Sequence, residues 1–84
     1  MIPLTMEAAR VNAGYTQEEA SKLFGVHVQT LSKFENDNSK MPYALIKKIP
    51  EVYKVPAKVI FFGLKNEFIR LLREGKFDSQ IDDE

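Results

Sequence analysis

Apolar residues along the chain recur at three- and four-residue spacings, not in strict alternation, so the pattern predicts helices throughout. The first candidate is "TMEAARVNA", with Thr5 as its cap, Gly14 as its stop, and Ala8, Ala9 and Val11 as small residues suited to packing. In the second, Thr16 and Glu19 form T-x-x-E, a capping box in which hydroxyl and carboxylate each satisfy an amide of the first turn. Ala20, Leu23 and Phe24 follow at i, i+3 and i+4, predicting one buried stripe, and Gly25 can take the positive φ that ends a helix. A third helix restarts at once over Val28 to Glu35, with His27 at its cap position and Leu31 and Phe34 on its inward face.

After the polar turn "NDNSKMPY", "YALIKKI" begins a fourth helix that Pro50 should break near Ile49, with "EVYKV" beyond. Pro56 suits the first turn of a short fifth helix, "AKVIFF". Gly63 separates it from "KNEFIRLLRE", where Phe68, Leu71 and Leu72 recur at helical spacing before Gly75. "KVIFF" is the single ambiguous apolar run. The reading is all-α.

A break at Gly25 has a use. A helix, a tight glycine-containing turn and a second helix form a helix-turn-helix unit. Leu23, Val26, Leu31 and Phe34 can close a small core between the two helices, which leaves the outer face of the third free to enter a DNA major groove. That face carries Gln29 and Lys33, with Thr30 and Ser32 on its flanks. A glutamine amide pairs in bidentate fashion with adenine, and lysine donates to guanine O6 and N7. Glu35 lies only about 40° from Leu31, on the inward side, and a carboxylate there needs a partner.

Residues 4–62 resemble the phage Cro and lambda-repressor (XRE-type) helix-turn-helix family. "AARVNAGYTQEEASKLFGVHVQTLSKFEND" is similar to that family's first three helices, and "KMPYALIKKIPEVYKVPAKVIFF" to its last two. The resemblance implies a five-helix domain over residues 1–63, with the helix-turn-helix at 16–36, that binds operator DNA as a dimer. It also implies roles. Val28, Gln29, Ser32 and Lys33 face base edges. Thr16, Gln17, Thr30, Asn36, Lys40 and Tyr43 lie near the sugar-phosphate backbone, Gln17 also bracing the third helix. Arg10 and Glu35 form a structural ion pair between the first helix and the end of the third. In this chain Val28 stands where several members have a polar reader, and His27 where a serine or threonine cap is common.

Composition narrows the picture without changing it. Eighty-four residues make one domain with a modest core. With no cysteine there is no disulfide framework or thiolate metal site, as suits a reducing cytoplasm. One histidine has no second ligand to share a metal with, and is read as a helix-entry residue near phosphate. No apolar run approaches the roughly 18 residues of a membrane span, and no secretory signal is expected from "MIPLTMEAAR". No nucleophile–base arrangement stands out, so neither an enzyme nor a cofactor is expected.

Net charge is zero, but unevenly laid out. All twelve Lys and Arg lie in residues 1–77 beside eight acids, whereas "DSQIDDE" carries four acids and no base. Such a tail, 78–84, lacks the glycine and spacing of a calcium loop and reads as solvated and disordered. Residues 64–77 read as a helical extension. The apolar content of 61–77, with Phe61, Phe62, Leu64 and Phe68 foremost, exceeds what so small a core needs and predicts a homodimer contact built from the fifth helix and this extension.

The expectation is therefore a cytoplasmic transcriptional regulator, a repressor of phage or prophage type, on double-stranded operator DNA. The rival is an antitoxin-like interaction module that uses the same helices for autoregulation and residues 61–84 to hold a protein partner.

Overall fold

The computed structural model describes residues 2–77, and the acidic segment 78–84, expected as a disordered tail, lies outside them. Six helices follow in order: α1 (Met6–Asn12), α2 (Gln17–Phe24), α3 (Val28–Asn36), α4 (Tyr43–Ile46), α5 (Ile49–Tyr53) and, after a 3-10 turn at Ala57–Val59, α6 (Lys65–Arg73). There is no regular strand among the described residues, only two isolated bridges, Leu4 with Ile60 and Asp37 with Leu64. The fold is all-α, as expected.

Local signals account for the ends of the first three helices. Thr5 Oγ1 accepts from the Ala8 amide at 3.0 Å. Both halves of the Thr16–Glu19 capping box are formed, at 3.1 and 2.9 Å. Gly25 ends α2 at φ 77°, where a side chain would be strained. His27 does cap α3: its Nδ1 accepts the Gln29 amide at 3.1 Å. Pro50 breaks the fourth helical stretch, occupying the first turn of α5, where it costs no hydrogen bond.

One expected helix is absent. "AKVIFF" forms only the 3-10 turn and then extends, because Leu4 pairs with it: the Leu4 amide donates to Val59 O, and the Phe61 amide to Leu4 O, each at 2.7 Å. β-branched Val59 and Ile60 tolerate that extended backbone well.

The core gathers Met6, Ala9, Ala20, Phe24, Leu31, Met41, Ile49, Val52, Tyr53 and Ile60. Phe24 meets Tyr53 edge-on at 5.2 Å. Two expected core residues lie outside it. Leu23 is 50% exposed, because α2 buries an arc through Ala20, Phe24 and Ser21, and Leu23 falls about 100° from Phe24. Val11 is exposed as well, roughly opposite buried Ala9 on α1.

A smaller aromatic cluster closes the C-terminal end. Phe61 meets Phe68 at 5.3 Å and Phe77 at 6.0 Å, and Phe68 meets Phe77 at 5.2 Å. Asn38 joins this end to the turn after α3: its Nδ2 donates to Phe61 O at 3.1 Å, and its Oδ1 accepts the Gly63 amide at 2.8 Å.

Candidate nucleic-acid interface

The orientation of α3 is set from its buried side. Leu31 fills the core and Glu35 is buried beside it. Arg10 on α1 grips Glu35 with two hydrogen bonds, Nε to Oε2 at 2.6 Å and Nη2 to Oε1 at 3.3 Å. Its Nη1 donates to Tyr15 O at 2.9 Å, which ties the α1–α2 connection to the same group. Gln17, the first residue of α2, donates from Nε2 to Glu35 Oε1 at 2.8 Å. One carboxylate thus holds α1, α2 and α3 together. With side chains only 11% and 5% exposed, the Arg10–Glu35 pair is shielded from salt and solvent. The Glu35 hydrogen bond raises the Arg10 pKa above its already high ordinary range.

The Tyr53 hydroxyl lies in this neighbourhood, buried without a hydrogen-bond partner among the described residues. Burial first, and then the Glu35 charge, raise its pKa well above the ordinary tyrosine range, while Arg10 opposes them. It stays a neutral phenol.

Rotating around α3 from this anchored side, the chain presents Gln29, Lys33 and Asn36 to solvent, spanning about 60° of the helix. Val28, Thr30 and Ser32 are half-buried along the margins of that face. Asn36 uses its amide locally, donating to Ser32 O at 3.3 Å. Thr16 and Lys40 are exposed, and Tyr43 is the most exposed large apolar side chain among the described residues at 73%. Lys47, one turn further on at the C-terminal cap of α4, sits 5.7 Å from the Tyr43 ring centre, a cation–π contact. Its spacing to Tyr43 could have signalled it.

An open cleft lined by Glu7, Arg10, Thr16, Gln17, Glu18 and Val28 leads to this face. Arg10 already spends its guanidinium on Glu35 and Tyr15, so it offers no free fork to a ligand. Gln17 retains one amide hydrogen, which suits a single contact to a phosphate oxygen.

Two further residues that position the interface had no sequence signal. Lys48 donates from Nζ to Phe24 O at 3.0 Å and satisfies a carbonyl at the end of α2. Asn38 locks the chain just beyond α3, as described above. Both act across more than twenty residues of chain.

Among the described residues no group of three His, Cys, Asp or Glu is placed to hold a metal, and no helix is long and apolar enough to cross a membrane. The residues expected at the dimer contact divide. Phe61 and Phe68 are engaged with Phe77, whereas Phe62 and Leu64 are exposed, Leu64 to 56%.

No curated protein matches the chain. A helix-turn-helix family signature does match, over residues 6–60, which covers α1 to the bridge at Ile60. Since that is well over half its length, the chain belongs to the helix-turn-helix family of the Cro and lambda-repressor (XRE) type, a DNA-binding regulatory domain.

Proposed function

We propose that the protein is a sequence-specific transcriptional repressor of phage or prophage type, acting in the cytoplasm as a homodimer on a pseudo-palindromic operator. The observation that carries this reading is the shared grip of Arg10 and Gln17 on Glu35, which fixes α3 from behind while Gln29 and Lys33 face outward. A reading helix needs that division, because a bidentate base contact tolerates little rotation.

On this reading α3 lies in the major groove. Gln29 and Lys33 choose bases, Ser32 assists at the margin, and Val28 offers methyl groups to a thymine methyl. Thr16, Gln17, Thr30, Asn36, Lys40 and Tyr43 set the register on the phosphates. Two subunits place their α3 helices one DNA turn apart, about 34 Å. Their contact is supplied by Phe61, Phe62, Leu64 and Phe68, of which Phe62 and Leu64 are the more exposed. Repression follows from occlusion of the promoter.

Selection from a randomised duplex pool at about 0.15 M salt tests the reading, since charge effects are then partly screened. An inverted repeat with half-sites about ten base pairs apart is expected. A lone half-site would keep the reader and remove the dimer. No enrichment from folded protein would transfer the function to a partner-binding module. On the recovered operator, Gln29→Ala should cost about 1–3 kcal/mol, concentrated at one base position. Equal loss across all operator variants would remove Gln29 as a reader.

A further inference from the structure

Lys40 and Tyr43, expected on the phosphates, lie outside α3: Lys40 in the connection to α4, and Tyr43 at the start of α4. One buried side chain holds that connection. Asn38 is 3% exposed, and both ends of its amide are taken by distant main chain. Nδ2 donates to Phe61 O at 3.1 Å and Oδ1 accepts from the Gly63 amide at 2.8 Å, 23 and 25 residues along the chain. A backbone bridge joins the neighbouring pair, Asp37 and Leu64. The Asn38 carbonyl in turn accepts the Met41 amide at 3.1 Å, and Met41 is buried. Exposed Ser39 and Lys40 therefore form a short arch with both feet anchored.

Gly63 makes the grip possible. It sits at φ 151°, so close to Phe61 that a Cβ would meet that ring at 3.0 Å, and any side chain there displaces the segment whose amide Asn38 holds. The two Asn38 bonds fall on either side of Phe62, and the bridge falls on Leu64. Phe62 and Leu64 are the exposed apolar residues of the proposed subunit contact. The orientation of α3, by contrast, comes from a separate set of bonds, those of Arg10 and Gln17 to Glu35.

Resting on the DNA-binding reading above, we propose that Asn38 is a positioning residue for the phosphate grip. It touches no nucleotide. It pins the arch of Lys40, and the start of α4 with Tyr43, to the 61–63 backbone, and so makes contact with the sugar-phosphate chain depend on the segment that carries Phe62 and Leu64. Base choice by Gln29 and Lys33 depends instead on Glu35. Phosphate contacts set affinity and register, whereas base contacts set sequence preference, so losing Asn38 should weaken the first and spare the second.

The test is binding of the full chain, across a series of salt concentrations, to two duplexes: one bearing a single selected half-site, which keeps dimerisation out, and one of random sequence. Asn38→Ala should weaken both by the same factor, about tenfold, as for one lost charge-assisted hydrogen bond. The slope of log K against log salt should shrink by about 0.9, the value of one phosphate contact. Lys40→Gln should shrink it equally, and adding Lys40→Gln to Asn38→Ala should change it little further, since both remove the same contact. Gly63→Ala reaches the grip from its other end and should repeat the Asn38→Ala result, which keeps the proposal testable should Asn38→Ala fail to fold. A merely structural role lowers the folded fraction and leaves the salt slope untouched, so a parental slope in both variants would overturn the proposal. Lost preference for the half-site at a parental slope would also overturn it, by placing the effect on α3. A parent chain that shows no preference between the duplexes would remove the DNA-reading function itself, an outcome distinct from parental preference with an unmoved slope.

Discussion

The α2–turn–α3 unit and the 61–77 end of the molecule are both short, amphipathic and helical, yet they are held in opposite ways. In the first, both helices have side-chain caps, and a buried carboxylate is shared by three elements. In the second, α6 has no side-chain cap and no fully buried residue. Its ion pairs, Lys65 with Glu7 and Arg70 with Glu67 and Glu74, are all at the surface. The aromatic cluster fastens it, and Phe62, Leu64 and Leu72 stay exposed nearby. On the proposed reading, α3 has to be complete before DNA arrives, whereas the 61–77 surface can leave apolar area uncovered until a partner covers it.

The hardest test of this contrast is Glu35→Ala. It leaves Arg10 and Gln17 without their shared acceptor, and a buried ion stripped of its partner costs about 3–5 kcal/mol. The unfolding temperature should fall by about 12 °C or more, given roughly 4–8 °C per kcal/mol in a domain of this size. A loss below 1 kcal/mol would mean that the buried grip does not hold the three helices.

Phe77→Ala should come next, at up to about 3 kcal/mol, since it empties the middle of the aromatic cluster. The change should be local: amide exchange speeds up across 65–73 while α2 and α3 keep their protection. Uniform acceleration over both regions would erase the distinction between them. Thr16→Ala removes one half of the capping box and should cost about 1 kcal/mol, seen as a lower urea midpoint with an unchanged slope.

Lys65→Met is the mildest. Both partners are about two-fifths exposed, so the pair is worth under about 1 kcal/mol. The Lys65 hydrogen bond holds the Glu7 carboxyl below its ordinary 4.5. A depressed folded-state pKa stabilises above the ordinary value and stops doing so as pH falls through the folded one. The variant should therefore be slightly weaker near pH 7, and the difference should shrink as the pH is lowered through the depressed Glu7 pKa, in paired urea titrations.

Much of the helix-turn-helix half was legible because its signals are local. The capping box, the glycine stop, the histidine cap and the proline break each act within four residues, and each formed. Glu35 could be placed inward by counting around the helix. Distance along the chain marks where legibility ended. Leu23 satisfies the i, i+3, i+4 pattern and still faces solvent, because periodicity gives the width of an apolar face and not which part of it meets a neighbour. "AKVIFF" has helical spacing but yields to pairing with Leu4, more than fifty residues away. Asn38 is unremarkable in a polar turn, and its burial depends wholly on where Phe61 and Gly63 arrive.

By itself, then, the amino-acid sequence determined the first three helices, their caps, the turn at Gly25 and the family to which they belong, since backbone conformation there follows from side chains a turn away. Only the tertiary structure decided which apolar side chains form the core, that Gln17 joins the expected Arg10–Glu35 pair on the same carboxylate, and that Phe61 and Phe68 turn inward to Phe77 while Phe62 and Leu64 stay outside. Those outcomes depend on which surfaces meet when the helices pack, and a residue's own neighbours in sequence do not carry that information.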